Sequence, residues 1–209
     1  MKNWPLLGPF VGQGNPIWID RNSRHKSKAV ADEMIETLRH KINLLVYPEG
    51  TSTDGEHGIL PFKSTPFEAA VDAGCHIQPL LTFFSCEDAA GCSLAWYGES
   101  TLLPHIWKVL GLRQAKADVY ILPVIEPIAG ETRKELAARV YELMSAEYKR
   151  IREHAQSRQP HPYLRSLSLA YIIKGASGGQ GASPLHPDRQ GAGAGYLDPH
   201  QMLRIWCSD

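Results

Sequence analysis

An α/β fold, with a mostly parallel sheet flanked by helices, is what the 209-residue sequence predicts, and three observations predict it. Short apolar runs of strand length recur along the chain. Segments with helical apolar spacing lie between them, the pattern of β-α-β units. Helix start and stop residues stand where those segments change over.

The first unit runs from residues 17–20, IWID, to residues 42–47, INLLVY. Between them SKAVADEMIETLRHK places Val30, Met34, Ile35, Leu38 and Ile42 at helical spacing, with Ser27 as the candidate N-cap. In the second unit STPFEAAVDAGC offers a cap at Ser64 or Thr65, proline at the first helical position and Gly74 as the stop, before the strand HIQPLLTFF. DVYILPVI reads as a further strand, and ETRKELAARVYELMSAEYKRIREHA as a long helix with Leu136, Val140, Leu143 and Met144 on one face. One domain over residues 1–160 with a short extension over 161–174 follows. After Lys174 the composition turns to GASGGQGASPLHPDRQGAGAG, too poor in apolar surface to offset chain entropy, so 175–209 reads as a disordered or loosely attached tail.

Lys plus Arg and Asp plus Glu number 22 each, so no overall field recruits nucleic acid, and any anion must be held by local groups. Cys75, Cys86, Cys92 and Cys207 form no C-x-x-C pair, and the nine histidines show no zinc-ligand spacing; reduced thiols and no metal or cofactor are the expectation. The opening MKNWPLLGPFVGQGNP has no signal-peptide pattern and no apolar run reaches spanning length, which leaves peripheral membrane contact open.

Ligands of open α/β sheets lie beyond the carboxyl ends of the strands. Two polar clusters fall there: Asp20-Arg21 after IWI, and Glu49-Gly50-Thr51 after LLVYP. Pro48 fixes φ before the corner, Gly50 admits close approach of a ligand, and Thr51 and Ser52 add hydroxyls to exposed N–H groups in an anion-nest pattern. A carboxylate beside such a nest repels phosphate unless a cation intervenes, and Arg21 and Lys63 are the candidates. Glu49 would then fix the guanidinium or accept from a substrate hydroxyl, which suits a phosphorylated polyol better than a bare anion. The plainer alternatives are a solvated turn at Glu49, a solvated Arg21, and a Lys63 whose stem lies over neighbouring phenylalanines.

WPLLG, GNPIWIDR, VYPEGTSTDGEHGILPFKSTPFEAA and IQPLL, in this order, resemble the second, third and fourth motif blocks of the glycerolipid (1-acyl-sn-glycerol-3-phosphate) acyltransferase family, over roughly residues 2 to 125. The resemblance implies an acyltransferase domain over 1–160 that moves a fatty acyl group from acyl-CoA or acyl carrier protein to a lysophospholipid acceptor in phospholipid biosynthesis. It also implies peripheral attachment at the cytoplasmic face of the membrane. Arg21, Glu49, Gly50 and Thr51 stand at the family's glycerol-phosphate positions, and Lys63 in the downstream F-K-S completes the substrate-binding set. The family's general base is the histidine of an N-H-x-x-x-x-D block. Here His25, His57, His76 and His105 are followed five positions later by Val30, Phe62, Leu81 and Leu110, and none of the nine has the aspartate. The expectation is therefore an N-terminally truncated domain that holds the acceptor site and has no catalytic residue of its own. A non-catalytic module for phospholipid head groups is the alternative from another class, and a hydrolase using Glu49 and Asp54 a weaker third.

Overall fold

The computed structural model describes residues 16–17, 24–53, 58–86, 94, 96, 98, 101–112, 115–154, 163–168 and 198–207. Along the chain its elements are α1 (Arg24–Arg39), β1 (Leu44–Val46), α2 (Thr65–Ala73), β2 (His76–Cys86), α3 (Leu102–Leu110), β3 (Ala115–Ile121), α4 (Arg133–His154), β4 (Leu164–Ser168) and β5 (Asp198–Trp206).

Helix α1 buries Val30, Met34, Ile35 and Leu38, the stripe that the spacing predicts. It begins at Arg24, so Ser27 lies within the helix rather than at its cap. It ends in a Schellman motif: Ile42 N–H donates to Thr37 O at 3.2 Å and Lys41 N–H to Leu38 O at 2.9 Å, with Lys41 at φ 61°. Beyond that reversal the helical period is lost, and Ile42 is exposed instead of joining the stripe. Helix α2 starts after Ser64 with Pro66 in its first turn and stops at Gly74, whose φ of 63° makes the same motif without a Cβ penalty.

A capping box opens α4: Thr132 N–H donates to Glu135 Oε2 at 2.8 Å, and Glu135 N–H donates back to Thr132 Oγ1 at 3.3 Å. Its buried stripe is Leu136, Ala137, Val140, Met144, Tyr148 and Ile151; Leu143 lies one position off it and is exposed.

The sheet order is β1-β5-β2-β3-β4, and every neighbouring pair is antiparallel. This corrects the expected mostly parallel sheet. The β-α-β reading holds for direction, since β1 and β2 are each antiparallel to β5 and so run the same way. They are not hydrogen-bonded to each other, because β5 occupies the place between them. Leu44 pairs with Ile205, and Ile205 in turn with Ile77. The expected tail over 175–209 is thereby corrected at its far end, for Leu203 and Ile205 are fully buried in β5, an interior strand. The physical reason is the apolar alternation of QMLRIW, which a composition average over the glycine-rich stretch hides. Residues 175–197 lie outside the described residues.

Along β2, Ile77, Pro79, Leu81 and Phe83 face the core with period two. They meet Phe67 of α2, the α4 stripe, and Leu203 and Ile205. Phe83 stacks on Tyr148 with ring centroids 5.6 Å apart. A disulfide joins Cys75, just before β2, to Cys207, just after β5, which corrects the expectation of reduced thiols for these two residues. No helix among the described residues is long and apolar enough to cross a membrane.

Candidate functional site

The corner that follows β1 is built as a closed loop. Gly50 N–H donates to Tyr47 O at 3.1 Å, a turn with proline in its second place and glycine in its fourth. Gly50 takes φ +70°, a conformation costly for any residue with a Cβ. The chain then goes out and returns through Ile59 to Lys63, where three bonds hold it. Lys63 N–H donates to Pro48 O at 2.8 Å, Leu60 N–H donates to Glu49 Oε2 at 3.2 Å, and Tyr141 Oη donates to Ile59 O at 3.3 Å. Phe62 completes the anchor, stacked on Phe67 at 6.2 Å and edge-on to Tyr141 at 5.4 Å.

Glu49 is thus no solvated turn residue; it is 7% exposed. Burial strips water from the carboxylate and pushes its pKa from 4.5 up to about 7, while the Leu60 N–H pulls the other way. Near neutrality the group stands between its two forms. A guanidinium or ammonium brought beside it would hold the charged form, and a hydroxyl could either donate to it or accept its proton.

Lys63 comes to the same corner. A Cβ placed on Gly50 would lie 3.6 Å from Lys63 Cγ and 3.8 Å from Cε, so the lysine stem runs across the glycine. Its stem therefore reaches Gly50. Thr51 follows on the exposed side. The structure brings together Glu49, Gly50, Thr51 and Lys63, whereas Arg21 and Asp54 lie outside the described residues. Sequence reasoning missed the clamp by Leu60 and Tyr141. Leu60 acts through its backbone and Tyr141 comes from a distant helix, so neither leaves a local signal.

The model of the family described as Acyltransferase matches residues 1–82, which include this corner. The chain is 26% identical over 146 residues to the 1-acyl-sn-glycerol-3-phosphate acyltransferase of Neisseria gonorrhoeae, a match covering 70% of this chain and 57% of that protein. It is 32% identical over 144 residues to the lyso-ornithine lipid O-acyltransferase of Rhodobacter capsulatus, covering 66% of this chain and 51% of that protein. With the 1-acyl-sn-glycerol-3-phosphate acyltransferase of Escherichia coli it shares 40% identity over 78 residues, 34% of this chain and 31% of that protein. The chain spans about half the length of the curated relatives it matches. No solved structure matches it at a significant level. Family match, relatives and the ordered motif blocks agree in what the chain is similar to: the Acyltransferase family over residues 1–82, and lysolipid acyltransferases over about two thirds of its length.

Proposed function

We propose that the chain is the acceptor-holding part of an enzyme of phospholipid biosynthesis that transfers a fatty acyl group from a thioester to a lysophospholipid such as 1-acylglycerol 3-phosphate. The observation that carries the reading is Glu49, buried at the end of β1 by a loop that closes on itself, with Gly50 left-handed beside it and the Lys63 stem across it. A turn that only reverses the chain has no need to bury a carboxylate, since desolvating it costs stability unless a partner offsets it.

In the reaction the acceptor oxygen attacks the thioester carbonyl carbon, the carbon–sulfur bond breaks, and the proton leaving the hydroxyl ends on the departing thiolate. The roles at this corner follow from chemistry. Arg21 and Lys63 would neutralise the acceptor phosphate, Gly50 and Thr51 would offer N–H and hydroxyl donors, and Glu49 would orient the arginine or accept from a glycerol hydroxyl. The base that takes the acceptor proton is not among these residues, and no N-H-x-x-x-x-D occurs in the sequence. Donor choice between acyl-CoA and acyl carrier protein, and peripheral attachment at the cytoplasmic membrane face, belong to the same reading.

Calorimetry of lysophosphatidic acid binding to the 209-residue chain tests it. Arg21→Ala and Lys63→Ala should each weaken binding by about tenfold, and Arg21→Lys should restore only part because the two-pronged contact is lost. Unchanged affinity in both alanine variants would sink the assignment of the corner. Binding without any transfer, in a chain that also carries the N-H-x-x-x-x-D block, would favour the head-group module instead.

A further inference from the structure

The Cys75–Cys207 disulfide joins the elements that anchor the two halves of the Glu49 corner. Cys75 follows Gly74, the stop of α2, and α2 begins directly after Lys63 and Ser64. Cys207 follows Trp206, the last residue of β5. Two residues before it Ile205 pairs with Leu44, the first residue of β1, and among the described strands β1 has no hydrogen-bonded neighbour other than β5. The far end of β1 leads into Pro48 and Glu49.

The surroundings of the bond suit two redox states. Cys75 is fully buried and Cys207 only partly so, which makes Cys207 the sulfur on the solvent side. Ala73 O, in the last residue of α2, lies 3.6 Å from Cys75 Sγ and 3.9 Å from Cys207 Sγ. Disulfide sulfurs carry no proton to give it, whereas either thiol does, so reduction supplies this carbonyl with a donor and leaves no buried thiol orphaned. The nine pairs that join β5 to β2 keep the strand in place without the bond. What loosens is its end, at Trp206 and Ile205, and through Ile205 the three-residue β1.

We propose that Cys75–Cys207 is a reversible redox clasp that sets how firmly β1 carries the Glu49 corner, closed as the disulfide and loosened as two thiols by exchange with a cellular dithiol. A thiolate of the dithiol attacks the Cys207 sulfur, the bond to Cys75 breaks, and Cys75 leaves with the electron pair and takes up a proton. The second thiol of the reductant then displaces Cys207, which is protonated in turn, and the reductant ends as its own disulfide. Two electrons and two protons have passed to the protein, and a disulfide oxidant returns it by the same path. That the clasp bears on acceptor binding rests on the acyl-transfer reading, as does the reducing compartment in which a disulfide is usually a transient one. That it governs β1 does not.

The test uses the whole chain in glutathione buffers of graded ratio. Mass spectrometry after alkylation should find Cys75 and Cys207 joined in oxidised glutathione and both alkylated when reduced glutathione is in large excess. Reduction should speed amide exchange in residues 44–46 and 203–206 by about tenfold or more and leave residues 140–151 of α4 nearly unchanged, because the opening is local. Affinity for lysophosphatidic acid, read by calorimetry, should fall by about three- to tenfold as fewer chains hold a formed corner. Linkage makes this reciprocal, so saturating lysophosphatidic acid should raise the ratio of squared reduced to oxidised glutathione at half-reduction by the same factor. Cys207→Ser, which keeps a donor for Ala73 O and cannot form the bond, should show the exchange and affinity of the reduced parent in every buffer; the reduced parent makes the same comparison without any substitution. A bond that resists excess reduced glutathione overturns the proposal. So does exchange in β1 that is equal in the two states, or exchange that quickens throughout the sheet and α4. Equal affinity in the two states with β1 exchange changed would overturn the link to the corner. No binding of lysophosphatidic acid in either state, with exchange changed as expected, would count against the acyl-transfer reading alone.

Discussion

Glu49→Gln separates the cost of the corner from its use. In the folded protein the carboxyl group keeps its proton up to about 7, against 4.5 when unperturbed. Between those values the folded state binds more proton than the unfolded chain. The contribution to stability is fully present below 4.5 and is lost as pH rises through about 7. At 1.36 kcal/mol per pH unit the interval corresponds to about 3 kcal/mol, which solvent screening at the edge of the site lowers to about 1–2 kcal/mol. Glutamine keeps the volume, can still accept from the Leu60 N–H, and cannot ionise. Urea unfolding followed by tryptophan fluorescence should therefore find parent and variant alike near pH 5, and the variant more stable by about 1–2 kcal/mol near pH 8. The same variant should bind lysophosphatidic acid more weakly, so stability and binding move in opposite directions. Parallel stability profiles at the two pH values, or a variant that is less stable near pH 8, would refute the argument. Either result would mean that a cation already balances the carboxylate in the folded chain.

Gly50→Ala should lower stability by about 1–2 kcal/mol through backbone conformation alone, since the added methyl meets Lys63 Cγ at an ordinary 3.6 Å; chemical denaturation measures it. Leu203→Ala, at a fully buried position of β5, should cost about 2–5 kcal/mol and lower the thermal midpoint accordingly, whereas a tail residue would cost nothing measurable. Lys41→Gly should raise stability by up to about 1 kcal/mol in the same measurement, because it relieves the left-handed C′ position of α1. Thr132→Ala should cost about 1 kcal/mol by opening the capping box of α4, readable as a lower denaturation midpoint.

What the sequence made legible follows from how local each signal is. Gly74 announced the end of α2, because glycine is the ordinary solution to a left-handed C′ residue. Lys41 makes the same turn in α1 and gave no warning, so the helical stripe was carried one residue too far, to Ile42. Leu143 was placed on the buried face of α4 by spacing alone. The structure instead selects Leu136, Val140, Met144, Tyr148 and Ile151, and only the packing partners decide between these two faces. At the site, Glu49 and Gly50 were readable from their place at a strand end, and Lys63 from the F-K-S block. The burial of Glu49 was not, because it depends on Tyr141 and Phe62 holding the returning chain, contacts that join residues far apart in sequence. The sheet was misread for a related reason. A β-α-β pattern fixes the direction of two strands and leaves open whether a third comes between them.

That third strand bears on the order in which the molecule can form. Leu44 and Ile77 reach the same sheet only through Ile205, so β1 has no hydrogen-bonded neighbour among the described strands until β5 arrives. During synthesis the Glu49 corner, carried on β1, would leave the ribosome long before the strand that holds β1 in place. Pairings of such high contact order form slowly, and the waiting edges of β1 and β2 are open to other chains. Chaperone demand during expression, and aggregation of chains that stop short of β5, are where this topology would be felt.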